Sequence, residues 1–139
     1  MTTLGRGGVL FRVGDALHFM PASVAMKVMP TPEVARIPGA PPELRGVALV
    51  DGKLIPVVDV LGDQTPSTRE RTGWQATRGG AMLVCAIMGE CVGLVGIHVV
   101  ATGRFDVGPS GEVRFDEEGA RTFDVAEIIA RVRQGRWAV

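Results

Sequence analysis

Two histidines, two cysteines and a few arginine- or glycine-rich stretches are the residues of this chain with chemical potential, and their spacing decides which chemistry is open to them. His18 and His98 lie in the strand-like runs "ALHFMP" and "GLVGIHVV", and neither has an evident mate with which to act as a base. Each reads as a core or interface histidine. Cys85 and Cys91 sit in an apolar stretch without a histidine at metal-ligand spacing, so they read as reduced core thiols, not as zinc ligands or a disulfide. The glycines of "GRGGVLF" and "TRGGAML" lack the lysine and hydroxyl residue that end a phosphate-binding loop, and no helix follows them. Arg69, Arg71, Trp74 and Arg78 interleave cations with one aromatic ring, a pattern that can hold a phosphate or stack on a base, but a solvated loop is the favoured reading. The inventory supplies no catalytic residue, no metal-ligand set and no cofactor motif.

The elements that would position these residues are short. Nineteen glycines and nine prolines are spread along 139 residues and cut the chain into brief runs rich in Val, Leu and Ile, the punctuation of an all-β fold. Strands are expected at Val9–Val13, Leu17–Met29, Arg45–Val50, Lys53–Val58, Met82–Met88 and Cys91–Val99, with weaker ones near Glu112–Phe115 and Arg121–Phe123. The expected turns are Gly14-Asp15, Asp51-Gly52, Gly89-Glu90 and Glu118-Gly119. "VMPTPEVARIPGAPPELRG" holds five prolines and reads as a semi-rigid connector. Near the end, Asp124 can cap a helix with Val125, Ile128, Ile129 and Val132 on one face, a Glu127–Arg131 pair on another, and Gly135 as terminator.

The length suits one domain over residues 1–139, and the polar loop from Gly62 to Gly80 divides it into two halves. "DGKLIPVVDV" and "EEGARTFDVAEI" echo each other across that division, which suggests two related small barrels. Fifteen acidic and fifteen basic residues balance without runs of one sign, so neither nucleic acid nor an acidic membrane surface is implied as a partner. "AMLVCAIMGECVGLVGIHVV" is nearly apolar, but Gly89-Glu90 in its middle marks a hairpin of two buried strands and argues against insertion in a bilayer. The start shows no export pattern, and a cytoplasmic location is the expectation.

Taken together, "FRVGDALHFMP", "IPGAPPELRGVALVDGKLIPVVDV", "LVCAIMGECVGLVGIHVV" and "TFDVAEII" resemble a CheW-like domain, the scaffold of bacterial chemotaxis arrays. The middle stretch is the most specific: Pro38, Ala40, Pro41, Gly46, Gly52, Ile55, Pro56, Val57, Val58 and Asp59 follow the family's order. The resemblance implies two five-stranded SH3-like barrels with a short C-terminal helix and no enzymatic activity. It also implies two protein partners, the regulatory domain of a CheA-type histidine kinase and the cytoplasmic tip of a methyl-accepting chemoreceptor.

The departures from the family pattern fall in the same region. The family's arginine before the turn glycine is Asp51 here, and its upstream glutamate falls at Lys27, which suggests an ion pair with its charges exchanged inside the barrel. Gly96 and Ile97 stand where the family has valine and aspartate, and the shorter stretch from Val100 to Phe123 suggests an abbreviated second barrel. On these grounds the candidate partner-binding residues are Lys27 and Val28, Pro38, Gly46, the turn Asp51-Gly52, Pro56 and Asp59, and Gly93, Gly96 and Ile97. Pro56 cannot donate to a β-ladder, so its strand is expected at an edge or bulge open to another chain. Two alternatives stand beside the bridging adaptor: a divergent member that binds one partner or a different protein and modulates signalling, and a small-ligand or phosphate-binding barrel using the arginine loop.

Overall fold

The structure, a computed structural model, describes residues 5–40, 43–60 and 80–134. The described residues are all-β apart from one short helix, as expected. The elements are β1 (Arg6–Val13), β2 (Ala16–Pro21), β3 (Ala25–Pro30), β4 (Leu44–Val50), β5 (Lys53–Asp59), β6 (Ala81–Ile87), β7 (Glu90–Val95), β8 (His98–Phe105), β9 (Val113–Phe115), β10 (Glu118–Thr122) and α1 (Val125–Gln134). They form two five-stranded sheets, β8-β1-β2-β10-β9 and β3-β6-β7-β5-β4.

The two sheets are built alike. Each centres on a tight hairpin, β1-β2 or β6-β7, whose second strand runs parallel to the last strand of a second hairpin, β9-β10 or β4-β5. Each also takes an antiparallel edge strand with a register shift, between Leu10 and Phe11 opposite β8 and between Ala25 and Lys27 opposite β6. The sheets curl: Ala35, beyond β3, bridges to Val47 of β4, and Val107, beyond β8, bridges to Val113 of β9.

The echo in the sequence is therefore real, but the halves are interleaved. The first barrel combines β1 and β2 with β8, β9 and β10, and the second combines β6 and β7 with β3, β4 and β5. The division expected at residues 62–80 does not separate the barrels, because β5 and β6 on either side of it belong to one sheet. The chain crosses between barrels after β2 and after β7. These crossings break two strands expected to be continuous: Leu17–Met29 is interrupted by a turn in which the Val24 amide donates to the Pro21 carbonyl, and Cys91–Val99 by Gly96 at φ 80°. The barrel closed by Val107 and Val113 has all five strands, so the short stretch from Val100 to Phe123 does not abbreviate it.

Alternation along each strand explains the near-continuous apolar runs. On β1, Leu10 fills the first barrel with Leu17, Phe19, Val113 and Ala120, while Val9 and Phe11 point to a central core between the sheets. On β6, Met82 and Val84 fill the second barrel with Val50, Ile55 and Val57, while Leu83 and Cys85 face the same central core. A strand buried on both faces has no polar side to show, which is why its sequence lacks the usual period-two pattern. The helix α1 seals the central core with Val125, Ile128, Ile129 and Val132, and Asp124 accepts from the Glu127 amide at 3.1 Å as its N-cap.

Three hairpin turns place two consecutive residues at positive φ: Asp51-Gly52, Met88-Gly89 and Asp116-Glu117. The last two lie one and two residues before their expected positions, since register pairs Ile87 with Glu90 and Phe115 with Glu118. Glycine, asparagine or aspartate is the usual choice at such positions, and Met88 and Glu117 are unusual occupants of the left-handed region.

Candidate partner-binding surface

Several outward side chains of the second barrel are apolar where a solvated sheet would be polar. Leu49 and Leu54 face each other across β4 and β5, 65% and 69% exposed, and next along the same pair of strands Val47 faces Pro56. Met26, Val28 and Met88 are the other large apolar side chains exposed among the described residues. All five belong to the second barrel. Its hairpin turns Asp51-Gly52 and Met88-Gly89 lie at one end, because β5 and β7 run parallel with Val57 opposite Gly93. Strand β3 enters from that end with Ala25 opposite Cys85.

The first barrel provides an internal comparison. Counting from equivalent two-residue turns, the positions of Leu49 and Leu54 are held there by Arg114 and Gly119. Arg114 is occupied locally, pairing with Glu112 at 3.2 Å and donating to the Glu117 carbonyl at 3.1 Å. The same architecture thus presents a polar surface on one barrel and an apolar one on the other. Apolar groups clustered on one exposed face are the mark of an interaction site.

Lys27 and Asp51 meet within this end. Lys27 Nζ lies 2.8 Å from Asp51 Oδ2, and the pair joins the edge strand β3 to the β4–β5 turn across the seam where the barrel closes. The expected neighbourhood is observed, but the location inside the barrel is not: the two side chains are 41% and 74% exposed. An ion pair this exposed contributes little to stability.

Other candidate residues have structural duties. A Cβ on Gly46, at φ 147°, would collide with the Ala35 carbonyl oxygen at the barrel-closing bridge. Gly93 is buried, and a Cβ there would press on Met82 Sδ at 2.5 Å. Asp59 is buried, with its amide donating to the Glu43 carbonyl and its carboxylate 3.5 Å from Arg45 Nε, so it faces inward and not toward a partner. Gly96 and Ile97 form the crossing from β7 to β8, and Ile97 packs on the central core. Pro38 is exposed in the connector before Gly39.

Pro56 is half-buried within β5, between β4 and β7, but the ladder to β7 begins only at Val57. Its missing N–H thus falls where β5 is paired with β4 alone, which accounts for its tolerance in an interior strand. Pro41, Arg69, Arg71, Trp74, Arg78 and Gly135 lie outside the described residues.

A second feature is a cavity of about 470 Å³ where the ends of β5 and β10 meet α1. Its lining mixes His18, Asp59, Arg121, Asp124, Glu127 and Arg131. His18 stacks on Phe11 and meets the edge of Phe123, and its Nδ1 is buried without a hydrogen-bond partner. Burial, and then Arg121, lower its pKa. Cys85 is buried beside Met20, with its Sγ 3.1 Å from the Met20 Sδ, and desolvation pushes its thiol up to about 12, which makes it inert. Among the described residues no group of three or more His, Cys, Asp or Glu side chains is placed to hold a metal ion. No helix there is long and apolar enough to cross a membrane.

Comparison with known proteins bears on family and fold. The family model for the CheW-like domain matches residues 7–133. Among solved structures, the scaffolding protein TtCheW from Thermoanaerobacter tengcongensis is similar, with a TM-score of 0.60 and 17% identity over 87% of this chain and 90% of that one. At that identity the likeness concerns the fold. No curated protein matches by sequence.

Proposed function

Given that the chain belongs to the CheW-like domain family, we propose that it is a non-catalytic adaptor of a chemotaxis-type signalling system, acting by protein–protein binding. Its partners in this reading are the regulatory domain of a CheA-type histidine kinase and the cytoplasmic tip of a chemoreceptor. The observation that carries it is the second barrel's set of exposed apolar side chains, Leu49, Leu54, Val28 and Met26, on the strands that also carry the Lys27–Asp51 pair or lead into its turn. Leucine and methionine supply the desolvation that holds a partner, and the ion pair sets which charge pattern is accepted. The similarity to TtCheW, a scaffolding protein, supports the same reading.

Titration calorimetry of this protein against the kinase regulatory domain and, separately, against a receptor-tip fragment tests it. Binding to both at about micromolar affinity or tighter identifies a bridge. Binding to one identifies a modulator that occupies a single partner. A folded sample that binds neither overturns the assignment.

A further inference from the structure

The exposed methionines of this surface have no packing reason to be methionine. Met20 and Met82 are fully buried and fill cores, whereas Met26 is 60% and Met88 91% exposed. Met88 also occupies the left-handed position of a two-residue turn at φ 54°, where asparagine or glycine is the undemanding choice. Both lie at the apolar end of the second barrel, Met26 next to Lys27 on β3 and Met88 at the tip of the β6–β7 hairpin.

We propose that Met26 and Met88 form an oxidation-sensitive part of the docking surface, modified by two-electron peroxide oxidants and weakening partner binding when oxidised. The proposal rests on the adaptor reading. In the reaction a thioether sulfur lone pair attacks a peroxide oxygen and the O–O bond breaks. The sulfur loses two electrons and becomes a sulfoxide, while the peroxide is reduced and, for hydrogen peroxide, leaves as water. Reactivity follows exposure, so the buried thioethers are protected by the fold: Met20 beneath Cys85, and Met82 beneath the close-packed Gly93. The product is polar, and docking an apolar partner over it must strip water from the new oxygen without returning a hydrogen bond. The core is untouched, so the effect falls on binding alone. Reductases specific for methionine sulfoxide restore the thioether, which makes the change reversible.

The experiment treats the full chain with hydrogen peroxide, maps sulfoxides by peptide mass spectrometry, and titrates the product with the kinase regulatory domain. Oxygen should appear at Met26 and Met88 before Met20 and Met82, with the melting temperature unchanged and the Kd raised on the order of tenfold. Methionine sulfoxide reductase should reverse the loss, and the double variant Met26→Leu, Met88→Leu, whatever its own untreated Kd, should keep that Kd after peroxide. Unchanged binding by oxidised protein, or equal sensitivity of the double variant, overturns the proposal while leaving the adaptor reading intact. If the untreated protein binds only a receptor-tip fragment, that fragment is the titrant; failure of untreated, folded protein to bind either partner overturns the adaptor reading and this proposal with it.

Discussion

At the scale of residues, His18 is the group whose charge the fold resists. Its ring lies against Phe11 and Phe123, with Arg121 opposite it on β10. Burial first and Arg121 second hold its pKa below the ordinary value of 6.5. The neutral ring is favoured in the folded state, so acid protonates the unfolded chain first. Its contribution is complete above 6.5 and is lost as pH falls from there toward the lower folded-state value. Urea midpoints measured across this range should decline with falling pH, and His18→Leu should flatten the decline. Glu112, hydrogen-bonded by Ser110, and Glu118, hydrogen-bonded by Arg12, are held below the usual carboxylate range and titrate further down. A second contrast concerns Lys27 and Gly46, both sequence candidates for binding. Lys27→Ala removes a solvated ion pair and should change stability by no more than about 1 kcal/mol in urea denaturation. Gly46→Ala drives a Cβ into the Ala35 carbonyl and should cost about 2 kcal/mol or more.

At the scale of elements, the hairpins were legible where an acid-glycine pair met strand-like flanks, as at Asp51-Gly52, and displaced where the turn residues were unusual, as at Met88. The helix was legible in full for its cap and apolar face. Its Glu127–Arg131 pair spans 3.7 Å on the exposed side. Ile128 is 7% exposed in the central core, and Ile128→Ala should lower the unfolding free energy by about 2–4 kcal/mol by opening a cavity between the sheets. A loss under about 1 kcal/mol would mean that α1 is not the seal described here. The outward leucines were illegible for a physical reason. "GVALV" and "KLIPVV" are apolar at successive positions, and a strand buried on both faces reads identically to one that buries one face and presents the other to a partner.

At the scale of the molecule, the exchange of three-strand segments between barrels could not be read from the chain. Local patterns fix hairpins, but the pairings β2-β10 and β5-β7 join residues far apart in sequence, and no short motif announces them. The pseudo-repeat survived as an echo because both halves need an acid-containing turn, a strand and a parallel partner. The contact of Lys27 with Asp51 was anticipated through family resemblance, and its exposure required the structure. What the assembled molecule adds is an asymmetry between two similar barrels, one presenting Arg114 in local polar contacts and the other exposed Leu49, Leu54, Met26 and Met88. That asymmetry is the basis for assigning the binding surface to the second barrel.

Calorimetric titration of the kinase regulatory domain with the parent chain, Leu54→Asp and Arg114→Ala, each first shown to melt as the parent does, tests that assignment at its centre. Binding by the parent is expected, with at least a roughly tenfold loss for Leu54→Asp and little change for Arg114→Ala, as for one side chain at the centre of an interface and one outside it. Equal binding by Leu54→Asp and the parent, or loss confined to Arg114→Ala, would contradict it.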